Sequence, residues 1–542
     1  MSRAVPNAAV SECVDAGVDF WTAVEAVRRL GSRLKSCSST DEIREEVFSA
    51  LCELDREAAE RYRRYYSMHV RTSRNTIEGF SREKIVNSLV AETSMPLEVA
   101  ENIAKEAEME LRRLRLEFVS APLIREVVNV KLLEHGFEEA RARYTRLGAP
   151  VHDVKQLVQR SGSAGEVHRA LAEKVLREYT LLSVLPLALA DAHMAGEIHI
   201  HALQDFPLRA WRGLADLRHL ASPESAAEGM LEILRRLRMA EERYSAGICL
   251  EGVSEFLAPA LRGSAEKTAA MLLEHLSVQA HPIAMCISGR AEGEHGEEAV
   301  ELGMAIARRL GEMREFGHEV YFRLDGGEDY LQAVHEAAAS CRQVRLLRPE
   351  ASLLEPEAGE GETGVLQCVS LNLLRGAREA RGDEGRFFRW LEERFELAAE
   401  VFELKQERMV HRREQVRWCF GLGVAGVSEA AGLLASESGD ELRLASRIAG
   451  VLAGLCRKSS RRGREMVLTM LGIEGALDRF REMEAAEEEV NIEVESVMHR
   501  FCSGGALAVI PLADAQPLPE ALMKLSERML ESTELRAWCY RW

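Results

Sequence analysis

The stretch from His69 to Gly148 constrains the fold of this chain most strongly, because its hydrophobic pattern changes from strand-like to helical. Strand-like runs at 70–72 and 76–78 flank a polar turn. Ser81 then occupies a position suited to a helix N-cap, since its hydroxyl can accept a hydrogen bond from the first helical turn. The pattern predicts a β hairpin that leads into a helix.

Two further helices are predicted in the same stretch. The first carries an apolar residue at every fourth position from Val99 to Leu111, which places these residues on one helical face. The second begins after Ser120 and tolerates Pro122 in its first turn. A small hairpin-plus-helices module is therefore expected, and a three-helix adaptor without a ligand is the structural alternative.

This module resembles the ATP cone, the nucleotide-sensing domain of ribonucleotide reductases. The resemblance is carried by Val70, Phe80, Lys84, Ile85, residues 124–126 and Tyr144. It continues without a break into residues 147–154, which resemble the archaeal anaerobic (class III) ribonucleoside-triphosphate reductases. The resemblance implies an ATP-cone domain at 67–148 with ATP or dATP as its effector.

The candidate phosphate ligands of this cone depart from the family pattern more than its predicted fold does. Where the family usually has a Lys-Arg pair and an Asp-Gly turn, this chain has Thr-Ser at 72–73 and Arg-Asn at 74–75. Arg71, Arg74 and Lys84 remain as candidate ligands of a triphosphate, because charged donors bind phosphate strongly. Solvated surface is the alternative for each of them.

Residues 1–66 look like the helical remainder of an earlier cone. Three short runs, at 22–27, 42–47 and 60–62, match runs in the cone at 98–103, 123–128 and 142–144. The hairpin and basic turn of a cone have no counterpart in this region. It is therefore expected to pack against the second cone without binding a nucleotide.

Residues 149–542 resemble the body of the class III reductases, which implies an α/β barrel of the glycyl-radical-enzyme type. Residues 340–342 resemble the site whose cysteine, here Cys341, becomes a thiyl radical. Residues 365–373 resemble the strand whose asparagine, here Asn372, contacts the substrate. Cys341 is expected on a loop that points into the barrel, and a buried inert cysteine is the alternative.

Other family positions have changed. Arg212 stands most nearly where the family carries its redox cysteine, and Gly-Gly-Gln runs are replaced near Gly247 and His281. Residues 503–525 resemble the stretch just before the family's zinc cysteines and glycyl-radical loop, and neither motif is present in this sequence. No zinc site and no glycyl radical are expected here. The pair His199 and His201 lacks an evident third ligand, so no metal site is predicted.

Composition limits the partners. The net charge of -18 argues against direct nucleic-acid binding, which needs clustered basic residues. No run reads as a signal peptide or a membrane span, and no two of the 11 cysteines have Cys-x-x-Cys spacing. A cytoplasmic protein that binds nucleoside triphosphates is expected.

Two functions from different classes remain open. One is the large component of a class III reductase whose radical domain is supplied by a separate chain. The other is a catalytically inert, nucleotide-binding paralogue that regulates or partners a complete reductase. The loss of the redox cysteine and of both Gly-Gly-Gln runs favours the second, and a homodimer is a further candidate assembly. Ribonucleotide reduction by this chain alone is not expected.

Overall fold

A computed structural model describes residues 4–541 except for gaps at 32, 37–39, 67, 72–76, 115, 117, 262, 291, 352–362, 410–415, 436–439, 461–464, 487–490 and 513–517. The chain divides into two compact units, Met1–Pro150 and Val151–Trp542. Each unit has its own buried hydrophobic residues.

The first unit begins with a helical bundle and continues with a hairpin and further helices. Its elements are α1 (Ala4–Asp15), α2 (Phe20–Leu30), α3 (Arg33–Ser36), α4 (Thr40–Leu54), α5 (Arg56–Tyr66), β1 (His69–Arg71), β2 (Ile77–Gly79), α6 (Arg82–Thr93), α7 (Leu97–Arg113), β3 (Phe118–Ser120), α8 (Ala121–Glu134) and α9 (Glu138–Tyr144). The predicted hairpin and three helices are thus present, with the strands displaced by about one residue.

Strand β3 was not predicted. It pairs in parallel with β1, so that Val70 lies opposite both Val119 on β3 and Glu78 on β2. Ser120 ends β3 and caps α8 by accepting a hydrogen bond from the Leu123 amide at 3.2 Å. Ser81 is the N-cap residue of α6 as expected, but its side chain makes no capping hydrogen bond.

The helices at 4–66 contact the cone-like part of the first unit through α5 and α7. Arg112 of α7 donates to the backbone carbonyl of Tyr65, and its guanidinium lies 5.2 Å from the centre of the Tyr65 ring. The same guanidinium lies 5.7 Å from the ring centre of Phe80. One partly buried arginine therefore joins the two parts of this unit.

The second unit alternates helices and strands. Its first half contains α10 (Val151–Arg160), α11 (Ala164–Tyr179), α12 (Leu187–Ala195), β4 (Ile198–Ile200), β5 (Arg212–Asp216), α13 (Ala226–Arg243), β6 (Ile248–Glu251), α14 (Val253–Leu257), α15 (Ala265–Ser277), β7 (Ile283–Ile287), α16 (Gly296–Gly311), β8 (Glu319–Arg323), α17 (Glu328–Ser340) and β9 (Val344–Leu347). Its second half contains β10 (Thr363–Asn372), α18 (Leu373–Ala380), α19 (Glu384–Met409), β11 (Arg417–Ala425), α20 (Val427–Ala435), α21 (Glu441–Ser459), β12 (Glu465–Thr469), α22 (Glu474–Glu484), α23 (Ile492–His499), β13 (Ala508–Pro511), α24 (Pro519–Ser532) and β14 (Ala537–Arg541).

The sheet of the second unit consists of sets of parallel strands, and neighbouring sets are joined by antiparallel strand pairs. Strands β5 to β9 run parallel to one another, as do β10, β11 and β12. Strand β10 pairs antiparallel with β5, and β14 pairs antiparallel with β9 and parallel with β13. Strands β6, β7 and β10 are buried along their whole length, as expected for parallel strands covered by helices.

The predicted α/β class is confirmed. Among the described residues, the regular ladders do not close into a barrel, because no ladder joins the end strands β12 and β13. An isolated parallel bridge does connect Met470, just after β12, with Ala506, just before β13. The Met470 amide donates to the Gly505 carbonyl at 2.9 Å, so the ends of the sheet touch at one point. No described helix has the length and apolar character needed to cross a membrane.

Candidate functional site

A cavity of about 540 Å³ lies in the first unit between the hairpin and helices α6, α8 and α9. Apolar residues of the hairpin, of the turn before α6, and of helices α6 and α8 form part of its wall: Val70, Phe80, Ile85, Pro122 and Ile124. Ser88 and Tyr144 add hydroxyl groups, which lie 3.2 Å from each other. A mixed wall of this kind suits a ligand that has both a flat apolar part and polar groups.

Three cations line the cavity: Lys84, Arg125 and Arg146. Lys84 forms an ion pair with Glu78 of β2, and its side chain is 67% exposed. Such an exposed pair contributes only about 0 to 1 kcal/mol, so an incoming phosphate can compete for the ammonium group. Arg146 makes no ion pair or hydrogen bond among the described residues, which leaves its guanidinium available to a ligand.

Arg125 holds three elements together at the wall of the cavity. Its Nη1 and Nη2 atoms lie 2.7 and 2.9 Å from the carboxylate oxygens of Glu92 on α6. Nη1 also donates to the backbone carbonyl of Tyr144 at 2.7 Å, and the guanidinium lies 4.1 Å from the centre of the Tyr144 ring. Hydrogen bonds from Arg125 lower the pKa of Glu92, and burial raises the pKa of Tyr144.

The sequence-predicted phosphate ligands fall in different places. Lys84 lines the cavity, on the first turn of α6. Arg71 is the last residue of β1, and nothing of its side chain is described. Arg74 lies outside the described residues. Sequence reasoning did not select Arg125 and Arg146, which line the cavity, although Arg125 stands within the run 124–126 that carries the family resemblance.

Cys341 lies in the short turn between α17 and β9, and its side chain is buried. Its Sγ is 3.7 Å from Oε1 of Gln343, an oxygen that also accepts from the Phe316 amide at 3.0 Å. Burial raises the pKa of the Cys341 thiol, which disfavours the thiolate. Cys341 therefore lies in a buried turn that joins a helix to a strand, and its expected position inside a barrel stays a prediction.

Asn372 ends β10 and is fully buried. Its Oδ1 accepts from the Arg375 amide at 3.1 Å and caps α18, while its Nδ2 donates to the Gly196 carbonyl at 2.9 Å. Strands β9 and β10 are not neighbours in the sheet, and no described contact joins Cys341 to Asn372. Their catalytic roles stay a prediction.

His199 on β4 and His201, which directly follows this strand, face different partners. His201 shares a 2.8 Å hydrogen bond with Ser370 of β10, and His199 Nδ1 lies 3.3 Å from Arg479. Burial lowers the pKa of His199 to about 4, so its ring is neutral near pH 7. Among the described residues, no group of three or more His, Cys, Asp or Glu side chains is placed to hold a metal ion.

Two models of known protein families match this chain, one in each of its two units. Residues 68–148 match the family model of the ATP cone domain, and residues 309–438 match that of anaerobic ribonucleoside-triphosphate reductase. No curated protein sequence matches the chain.

Solved structures extend the likeness to most of the chain. The anaerobic ribonucleotide reductase from Thermotoga maritima with dATP bound in the specificity site aligns with a TM-score of 0.57 and 14% identity, covering 72% of this chain and 86% of that chain. The same enzyme in complex with dATP and CTP aligns with a TM-score of 0.55 and 15% identity, covering 76% and 89%. A further anaerobic ribonucleotide reductase aligns with a TM-score of 0.58 and 13% identity, covering 86% and 89%. At this identity the structural likenesses establish the fold.

Proposed function

Because the chain belongs to the anaerobic ribonucleoside-triphosphate reductase family and carries an ATP-cone domain, we propose that its first unit binds a nucleoside triphosphate, ATP or dATP, as an effector. The observation that carries this proposal is the cavity of about 540 Å³ lined by Lys84, Arg125 and Arg146. The three cations supply charge-assisted donors for phosphate oxygens. The apolar wall between Phe80 and Ile124 supplies a surface for the base.

Lys84 is the proposed phosphate ligand that can be tested most directly. Arg71, next to Val70 on β1, is proposed as a second ligand, and Arg74 as a third. Glu78 forms an ion pair with Lys84, and Glu92 forms one with Arg125. Triphosphate binding therefore exchanges carboxylate partners for phosphate partners.

We further propose that the chain acts as a nucleotide-binding regulatory protein or partner subunit, and not as a reductase on its own. Arg212 supports this reading, because a guanidinium cannot perform the reducing role of the cysteine that the family carries most nearly at this position. The separate surroundings of Cys341 and Asn372 support it as well. The candidate partners are a complete reductase, a separate chain that carries a radical domain, and a second copy of this chain.

Calorimetry of the full chain with ATP, dATP and the four ribonucleotides tests the effector site. Lys84→Ala is expected to weaken ATP binding about tenfold or more, since a charge-assisted hydrogen bond contributes about 1.5 to 3 kcal/mol. Lys105→Ala is the matched control, because Lys105 is an exposed lysine of α7 that does not line the cavity. Unchanged ATP affinity in Lys84→Ala would rule out the proposed site.

A further inference from the structure

Arg112 lies between the wall of the proposed nucleotide cavity and the helices at 4–66. Its guanidinium is 5.7 Å from the ring centre of Phe80, which lines the cavity, and 5.2 Å from that of Tyr65 in the last turn of α5. Phe80 packs against the hydrophobic cluster of the cone, and Tyr65 packs against that of the helices at 4–66. One cationic side chain therefore contacts an aromatic ring in each part of the first unit.

Several hydrogen bonds fix the position of Arg112. Its side chain is only 10% exposed, and its Nε and Nη2 atoms donate to Oε1 of Glu108 at 3.0 and 2.7 Å. Its Nη1 atom donates to the backbone carbonyl of Tyr65. Because a guanidinium is planar, bonds on three of its nitrogens set both its plane and its place beside the two rings.

A backbone contact also joins Phe80 to the end of α5. Met68 lies between α5 and β1 and is buried. The Phe80 amide donates to the Met68 carbonyl at 3.0 Å. Arg112 is not among the described residues that line the cavity, so any effect it has on a ligand must pass through Phe80. The cavity wall and α5 are therefore connected twice, once through the Arg112 side chain and once through the backbone.

We propose that Arg112 is a positioning residue that holds the Phe80 ring against the base of the bound nucleotide and couples the helices at 4–66 to occupancy of the cone. This role rests on the effector site proposed above. A ring that Arg112 already holds loses less freedom when the base binds, so binding is stronger. Linkage is reciprocal, so a contact between Arg112 and Tyr65 that favours nucleotide binding is itself stabilised by bound nucleotide.

Calorimetry of the full chain with ATP and with tripolyphosphate tests the positioning role, because tripolyphosphate offers the phosphate groups without a base. Arg112→Gln is expected to weaken ATP binding roughly two- to fivefold, as the loss of one cation–aromatic contact implies, and to leave tripolyphosphate binding unchanged. Lys84→Ala is expected to weaken the binding of both. Arg113→Gln replaces the next residue of α7, which is exposed, and is expected to bind both ligands like the wild type.

Hydrogen exchange of the full chain with and without saturating ATP tests the coupling. In the wild type, ATP is expected to slow the exchange of α5 amides, and this slowing is expected to be lost in Arg112→Gln. The same measurement decides the question where tripolyphosphate binds too weakly to be measured. Arg112→Lys keeps a cation but loses the paired donors, so it is expected to show an intermediate effect, and it takes the place of Arg112→Gln where that variant does not fold.

The outcomes separate this role from the effector site itself. Failure of the wild type to bind ATP would refute the effector site and the role of Arg112 together. Where the wild type binds ATP, three results would overturn the role of Arg112 alone: unchanged ATP affinity in its variants, equal losses for ATP and tripolyphosphate, or α5 exchange that does not respond to ATP in the wild type.

Discussion

Arg125 joins α6, α8 and α9 in the cone, and its replacement by Gln is expected to loosen that junction. The variant loses the paired hydrogen bonds to Glu92, the hydrogen bond to the Tyr144 carbonyl and the stacking on the Tyr144 ring. Both Glu92 and Tyr144 then face the cavity without their cationic partner. The same change removes one proposed phosphate ligand.

The contacts set the size of the effect. The ion pair with Glu92 is partly exposed, at 27% for Arg125 and 37% for Glu92, so it contributes at most about 1 kcal/mol after solvent screening. The hydrogen bond from a charged donor to the Tyr144 carbonyl contributes about 1.5 kcal/mol, and the stacking contributes about 0.5 to 1 kcal/mol. The opening free energy of α9 is therefore expected to fall by about 2 to 3.5 kcal/mol.

Native-state hydrogen exchange of the full chain measures this change without assuming that the two units unfold together. Amides of α9 are expected to exchange faster in Arg125→Gln, and ATP affinity is expected to fall as well. Arg113→Gln is the control, because Arg113 is 72% exposed and its one ion pair among the described residues is with Glu110 one turn away. Equal exchange of α9 in the two variants would refute the role given to Arg125.

Acid is expected to destabilise the second unit. Burial lowers the pKa of His193 and of His499 to about 3, so below pH 6.5 the unfolded chain binds more protons than the folded chain. The free energy of unfolding then falls by up to about 1.4 kcal/mol per pH unit for each histidine. Denaturant titrations between pH 7 and 5 that show no loss of stability would contradict this. Burial raises the pKa of Glu495 to about 7, so the wild type loses stability as pH rises from about 4.5 to 7, and Glu495→Gln is expected to have the higher melting temperature at pH 8. An anaerobic assay with a radical-generating activase is expected to yield no deoxyribonucleotide from the isolated chain, and product that disappears in Cys341→Ser would favour the enzyme reading instead.

The elements of the cone could be predicted from sequence because their signals are local. The stripe from Val99 to Leu111 and the cap at Ser120 each depend on residues within one helix or turn. Strand β3 has only three residues, and it exists because β1 lies beside it, which no short window of sequence reveals. The cavity has the same non-local origin, since the residues of the Arg125–Glu92 pair are 33 positions apart.

For the second unit, the family resemblance predicted the fold class but could not predict the contacts of individual side chains. Resemblance to a family led to the α/β class and marked Arg212 as a departure, because both depend on matching one position with another. It could not show that Arg212 would have no ion pair among the described residues. Nor could it show that both polar atoms of the Asn372 side chain would form hydrogen bonds to the backbone, at Gly196 and Arg375. Those facts depend on which groups the sheet brings together. A match to a family motif at Asn372 can therefore reflect the structural hydrogen bonds that this side chain makes, so the match alone does not assign it a chemical role.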